Sequence, residues 1–209
     1  MAGESRRCGT SVSVDGTVRR VTLSIAWRNP AGKVTLMSQT TQHPTRPASQ
    51  PFVLGPDDGE HVWFLATRMT IKTTAQTTAG ALGVVEVRAA PGFSPPLHIH
   101  HLEDEAFWLL EGTLTLLCDG QLFEATTGSF IWLPRNRPHT FRVEGDTPVR
   151  ALLLSTPAEH VGFYAEGGHP ALDDSIPEFD PRDIARLEGL YPKYGLENVG
   201  PPLAPVDQP

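Results

Sequence analysis

His98, His100, Glu105 and His139 have the residue types and spacing to hold one divalent metal ion. Side chains two apart on a strand point to the same face, so His98 and His100 converge while Ile99 and His101 face the other way. Glu105 follows a turn-like Leu102-Glu103-Asp104 and opens the next strand, from which its carboxylate can reach the same centre. His139 follows Pro134-Arg135-Asn136-Arg137-Pro138, a turn that returns the chain to that end of the fold. Imidazole nitrogens with one carboxylate, and positions left for water or substrate, suit iron, manganese, nickel, copper or cobalt, and zinc stays in contention. Scattered histidines are usually surface or satisfied core groups, but four of the eight in this chain fall between 98 and 139. His101 is expected at the surface or behind the ligands, Glu103 and Asp104 in a solvated turn, and Arg135, Arg137 and Arg142 are the candidates for binding an anion.

The elements that must position these residues are short. From Phe52 onward, apolar or alternating runs of strand length alternate with Gly, Pro, Asp and Asn turn signals, a pattern that predicts a sandwich or barrel. Asp119-Gly120 and Glu111-Gly112 are natural tight-turn pairs, the former at hairpin spacing. Phe107, Leu109, Phe130, Trp132 and Phe141 are expected to fill the barrel core, some of them lining its cavity. Residues 1–50, rich in Ser, Thr, Arg and Pro, read as a poorly ordered leader with Met37 as an alternative start. Residues 51–157 read as the barrel. Residues 158–209 read as a C-terminal extension with a short helix near 181–191, begun by Asp180 and Pro181, striped by Ile184, Leu187 and Tyr191, and stopped by Gly195.

Gly92-x5-His98-x-His100-x4-Glu105-x6-Gly112 and Gly128-x5-Pro134-x4-His139 resemble the two motifs of the cupin superfamily. The second departs at Asn136, where Gly is usual, and at Val143, where Asn is usual; Asn tolerates a positive φ, and neither change removes a donor. The resemblance implies an all-β double-stranded β-helix, a jelly-roll barrel, with His98, His100, Glu105 and His139 as metal ligands inside its mouth. The wording around the first motif, with Glu60-His61-Val62-Trp63-Phe64-Leu65 and Tyr194-Gly195-Leu196-Glu197-Asn198, is similar to single-domain cupins of the bacterial quercetin dioxygenase group. That implies a dioxygenase acting on a small aromatic, flavonol-like or enolisable substrate with O2, Glu105 serving as ligand and base. A metal-assisted isomerase or epimerase, and a non-enzymatic binding cupin, are the alternatives, and the family implies a homodimer.

At 209 residues, 39% hydrophobic, the chain can bury one good core. A formal charge of -7 with no basic cluster argues against a nucleic-acid partner. No apolar stretch approaches bilayer length, so no membrane partner is expected. Cys8 and Cys118 sit in unlike contexts, which suits free thiols and a cytoplasmic location.

Overall fold

A computed structural model describes residues 49–205 in full and, before them, the backbone of three strands: β1 (Arg7–Asp15), β2 (Val18–Arg28) and β3 (Val34–Pro44). These form an antiparallel sheet in the order β1-β2-β3, a compact unit of its own. The leader expected over 1–50 is described only in the backbone of these strands, Met37 among them, and at residues 49–50. Where its backbone is described it is extended and paired.

The second unit, residues 49–209, contains the candidate ligands. Its strands are β4 (Glu60–Phe64), β5 (Thr67–Thr73), β6 (Gly83–Ala89), β7 (Pro96–His100), β8 (Asp104–Glu111), β9 (Thr113–Cys118), β10 (Gln121–Thr126), β11 (Phe130–Leu133), β12 (His139–Val143) and β13 (Val149–Thr156). A single 3-10 turn, Ala158–His160, leads into helix α1 (Val161–Gly167). There follow the two-residue β14 (His169–Pro170), helices α2 (Arg182–Glu188) and α3 (Tyr191–Tyr194), and β15 (Leu196–Pro202). Antiparallel pairing builds a five-stranded sheet, β10-β9-β12-β7-β15, and a seven-stranded sheet, β11-β8-β13-β6-β5-β4-β14. This is the all-β jelly roll, with a few short helices after the barrel.

Strand alternation decides what the sheets enclose. Val85, Val87 and Ala89 of β6, and Val149, Ala151 and Leu153 of β13, are buried while the residues between them are half-exposed. Each of the valines and the leucine contributes about 1.5–3 kcal/mol by leaving water, and the alanines less. The hairpin between β9 and β10 turns on Asp119 (φ 50°) and Gly120 (φ 76°), the doubly positive backbone of a type I′ turn, whose twist matches that of the flanking strands. At Gly112 the chain leaves β8 for β9 in the other sheet with φ 90°, and a Cβ there would lie 2.7 Å from Val149 Cγ2. Only glycine fits that crossing.

The interior of β8 and β11 departs from expectation. Phe107 and Leu109 are buried, but Phe130 and Trp132 are 58% and 52% exposed. β11 pairs with β8 so that Phe130 lies opposite Trp108 on the outer face, and Leu133 is the buried residue of the strand. Phe-Ile-Trp-Leu is apolar in both phases, so its sequence does not say which phase is inside. The C-terminal segment differs too: the helix expected near 181–191 is two short helices separated at Gly189 and Leu190, with Pro192 early in the second. Proline lacks the N–H that a continuous helix would need there. The Asp180 carboxylate accepts a hydrogen bond from the Arg182 N–H (2.9 Å), and Gly195 ends α3 in the left-handed conformation (φ 62°).

Substitutions on the two faces of this strand pair should separate cleanly. Leu109→Ala is expected to lower stability by about 2–5 kcal/mol, whereas Trp132→Ser should stay within about 0.5 kcal/mol. Urea unfolding of both variants measures the difference.

Candidate metal centre

The four sequence candidates meet at one end of the barrel. β7 carries His98 and His100, β12 begins at His139, and His139 lies directly opposite His98 across the β12–β7 pairing. Glu105, second residue of β8, reaches them from the facing sheet. The turn that delivers His139 is fastened at both sides. Asn136, in the left-handed conformation (φ 62°), donates its backbone N–H to the His100 carbonyl (2.7 Å). Arg135 donates to both oxygens of Asp104, from its guanidinium at 2.8 Å to one and from its backbone N–H at 3.0 Å to the other. Asparagine at 136 therefore does the work of the usual glycine, and the turn is locked to the residues beside His100 and Glu105.

The donor atoms of His98, His100, Glu105 and His139 all lie within 4.8 Å of one another. Nε2 of His98 is 3.1 Å from Nε2 of His100, and Glu105 Oε2 is 3.4 Å from His139 Nε2 and 3.9 Å from His100 Nε2. In each ring the other nitrogen is already engaged: His98 Nδ1 donates to the Pro96 carbonyl (2.7 Å), His139 Nδ1 to the Arg137 carbonyl (2.9 Å), and His100 Nδ1 to the Glu103 carboxylate. Those bonds fix the neutral tautomer in which every Nε2 presents a lone pair. His139 Nε2 is buried and has no hydrogen-bond partner among the described residues. Three lone pairs and a carboxylate aimed at one another repel unless they share a cation, so the donor set fits a divalent transition ion.

Electrostatics point the same way. Burial, then the neighbouring His100 and His139, push His98 down to about 3. Burial likewise lowers His100. Burial disfavours a charged Glu105, but His100 and His139 outweigh it and hold the carboxyl at about 2. Burial opposes protonation of His139 as well, yet Glu105 keeps that imidazole above its ordinary range. The ionised carboxylate and the neutral His98 and His100 are in the state a metal binds, and the proton that Glu105 favours on His139 would leave as an ion takes its place.

A cavity of about 100 Å³ lies against His98, His100 and Glu105. Its walls are apolar and aromatic, among them Phe64, Met69, Phe93, Phe107, Phe141 and Phe163, with Tyr164 and Asn198 as polar points. The arginines expected as anion binders do not line it: Arg135 is engaged with Asp104, Arg137 pairs with Asp119 (3.1 Å), and Arg142 donates to the Gly92 carbonyl (3.1 Å). His101 faces outward as its alternation predicts, hydrogen-bonded to Asn136 and Glu197.

Glu103 corrects the sequence reading. It is 2% exposed rather than solvated, and its carboxylate meets both His100 and His160. Neither His160 nor Tyr164 stood out in the sequence, because both lie beyond the second motif in the helical segment after β13. The apolar run Val161, Phe163, Tyr164, Ala165 is the signal that could have placed a helix there. Replacing a donor should release the ion: His139→Ala is expected to lower metal affinity by more than the roughly 10- to 100-fold typical of losing an outer partner, as measured by elemental analysis after dialysis.

Residues 85–155 match the family model "Cupin domain". Quercetin 2,3-dioxygenase of Bacillus subtilis (strain 168) is 25% identical over 134 residues, which are 64% of this chain and 40% of that protein. The tetracenomycin polyketide synthase protein TcmJ of Streptomyces glaucescens is 29% identical over 80 residues, 38% of this chain and 52% of that one. The chain thus spans about half or less of the length of these curated relatives. Among solved structures, the polyketide cyclase RemF from Streptomyces resistomycificus is 25% identical with a TM-score of 0.45, over 53% of this chain and 81% of that one. The motifs, the two-sheet barrel and the family match agree: this chain carries a cupin domain, distantly related to quercetin 2,3-dioxygenase and other cupins.

Proposed function

We propose that the protein is a metal-dependent dioxygenase that takes a small aromatic, flavonol-like or enolisable substrate and O2. The observation that carries this reading is an aromatic-walled cavity with an ionised, buried Glu105 among three histidines at its base. A sugar-phosphate substrate would want cations in the lining, and the nearby arginines are engaged elsewhere. Similarity to a quercetin dioxygenase supports the same choice.

His98, His100, His139 and Glu105 would hold the ion, which when bound supplies Lewis acidity toward a substrate oxygen and a redox partner for O2. The remaining work falls to the chain's own groups. Phe93, Phe107 and Phe141 line the cavity, and Phe93 and Phe107 each pack edge-to-face on Phe141, at 6.0 and 5.7 Å between ring centres. Such walls accept a flat apolar ring and keep water from the reacting centre. Glu105 accepts the proton of an acidic substrate hydroxyl or α-carbon, leaving an electron-rich anion for O2. Its unprotonated state at neutral pH is what a base requires.

An oxygen electrode with a panel of flavonols and related enols tests this. Uptake of O2 is expected with the metal-loaded protein and should fall by about 10²- to 10⁴-fold in Glu105→Gln. Substrate conversion that persists in an anaerobic chamber would replace the dioxygenase by a metal-assisted isomerase. Tight binding without turnover in either atmosphere would leave a small-molecule-binding cupin.

A further inference from the structure

The segment after β13 brings His160 and Tyr164 against the metal-binding donors, and neither has been given a role. Ala158–His160 and α1 are packed so that the His160 ring stands edge-on to His100 (4.5 Å between ring centres) and Tyr164 is buried in the cavity wall. His160 Nε2 lies 3.0 Å from the Tyr164 hydroxyl. Its Nδ1 lies 3.0 Å from Glu103 Oε1, aligned less well than a hydrogen bond. That same oxygen accepts from His100 Nδ1. Tyr164 and Glu105 both line the cavity. The groups form a chain, from His100 through Glu103 and His160 to Tyr164, that begins at a candidate metal ligand.

A hydrophobic core has no need of this arrangement. A buried carboxylate beside two imidazoles costs desolvation energy, and apolar groups of the same shape would be at least as stable. What this chain of groups does supply is orientation. Glu103 fixes the tautomer of His100 and the plane of its ring, and the Tyr164 hydroxyl steadies the His160 ring that stands against Glu103. The other two histidines are oriented by backbone carbonyls of Pro96 and Arg137, which no side-chain substitution removes. We infer that Glu103, His160 and Tyr164 are positioning residues that hold His100 in binding geometry, so that the helical segment after the barrel is part of the metal centre.

This inference rests on the metal-binding half of the proposed function and is independent of the reaction. Apo-protein is titrated with Co2+ against a competing chelator, and the visible spectrum of the bound ion is recorded for wild type, Glu103→Gln and Tyr164→Phe. Both substitutions keep the side-chain shape. Each is expected to weaken Co2+ binding by about 10- to 100-fold and to alter the spectrum, with little change in the apo melting temperature. Wild-type affinity and spectrum in both variants overturn the inference, as does a fall in apo stability alone with affinity unchanged. A wild type that takes up no Co2+ overturns the metal reading and this one together. Co2+ uptake that is sensitive to the variants, in a protein that never consumes O2, upholds the inference and overturns the dioxygenase.

Discussion

Mutual repulsion among converging donors is the constraint on which the rest depends. Three imidazole lone pairs and a carboxylate within 4.8 Å, all but His98 fully buried, are a costly thing for a folded chain to hold together. The barrel bears that cost because the residues holding the donors are fixed from several directions. His100 is held by its strand pairing, by Asn136 through its carbonyl and by Glu103 through its ring. Glu105 sits between Leu133 and Ser155 in the seven-stranded sheet. Backbone pairing and these hydrogen bonds keep the donors convergent, an arrangement that a cation would complete.

The same architecture explains why the site has an apolar antechamber. Inward positions of a small jelly roll are filled by side chains, and near the ligands these are phenylalanines whose rings do not pack the space to the floor. A carboxylate at the base of such a chamber is shielded from bulk water, and only neighbouring imidazoles keep it ionised. The donor cluster, its buried carboxylate and the aromatic walls are therefore consequences of one geometry rather than separate inventions.

Much of this could be read from residue order, where a local rule governs. His98 and His100 share a face because strands alternate, Asp119-Gly120 turns a hairpin because both can take positive φ, and Asn136 replaces a glycine for the same reason. What could not be read depends on partners distant in sequence. Glu103 looks like a surface turn until His160, more than fifty residues on, is folded against it. Phe130 and Trp132 were assigned inside because Phe-Ile-Trp-Leu is apolar in both phases, and only pairing with Trp108 settles which phase faces out. The helix near 181–191 was legible in composition but not in its interruption at Gly189 and Pro192.

One pairing carries a different kind of consequence. β15 lies alongside β7, with Asn198 opposite His98 and Tyr191 hydrogen-bonded to Asn198 at 3.2 Å. The mouth of the cavity is thus drawn from a stretch of chain that contributes no donor to the cluster. Because the same strand backs His98 and His100, side chains there can change what enters only while the β15–β7 pairing is kept, so selectivity is tied to the donors through one shared seam.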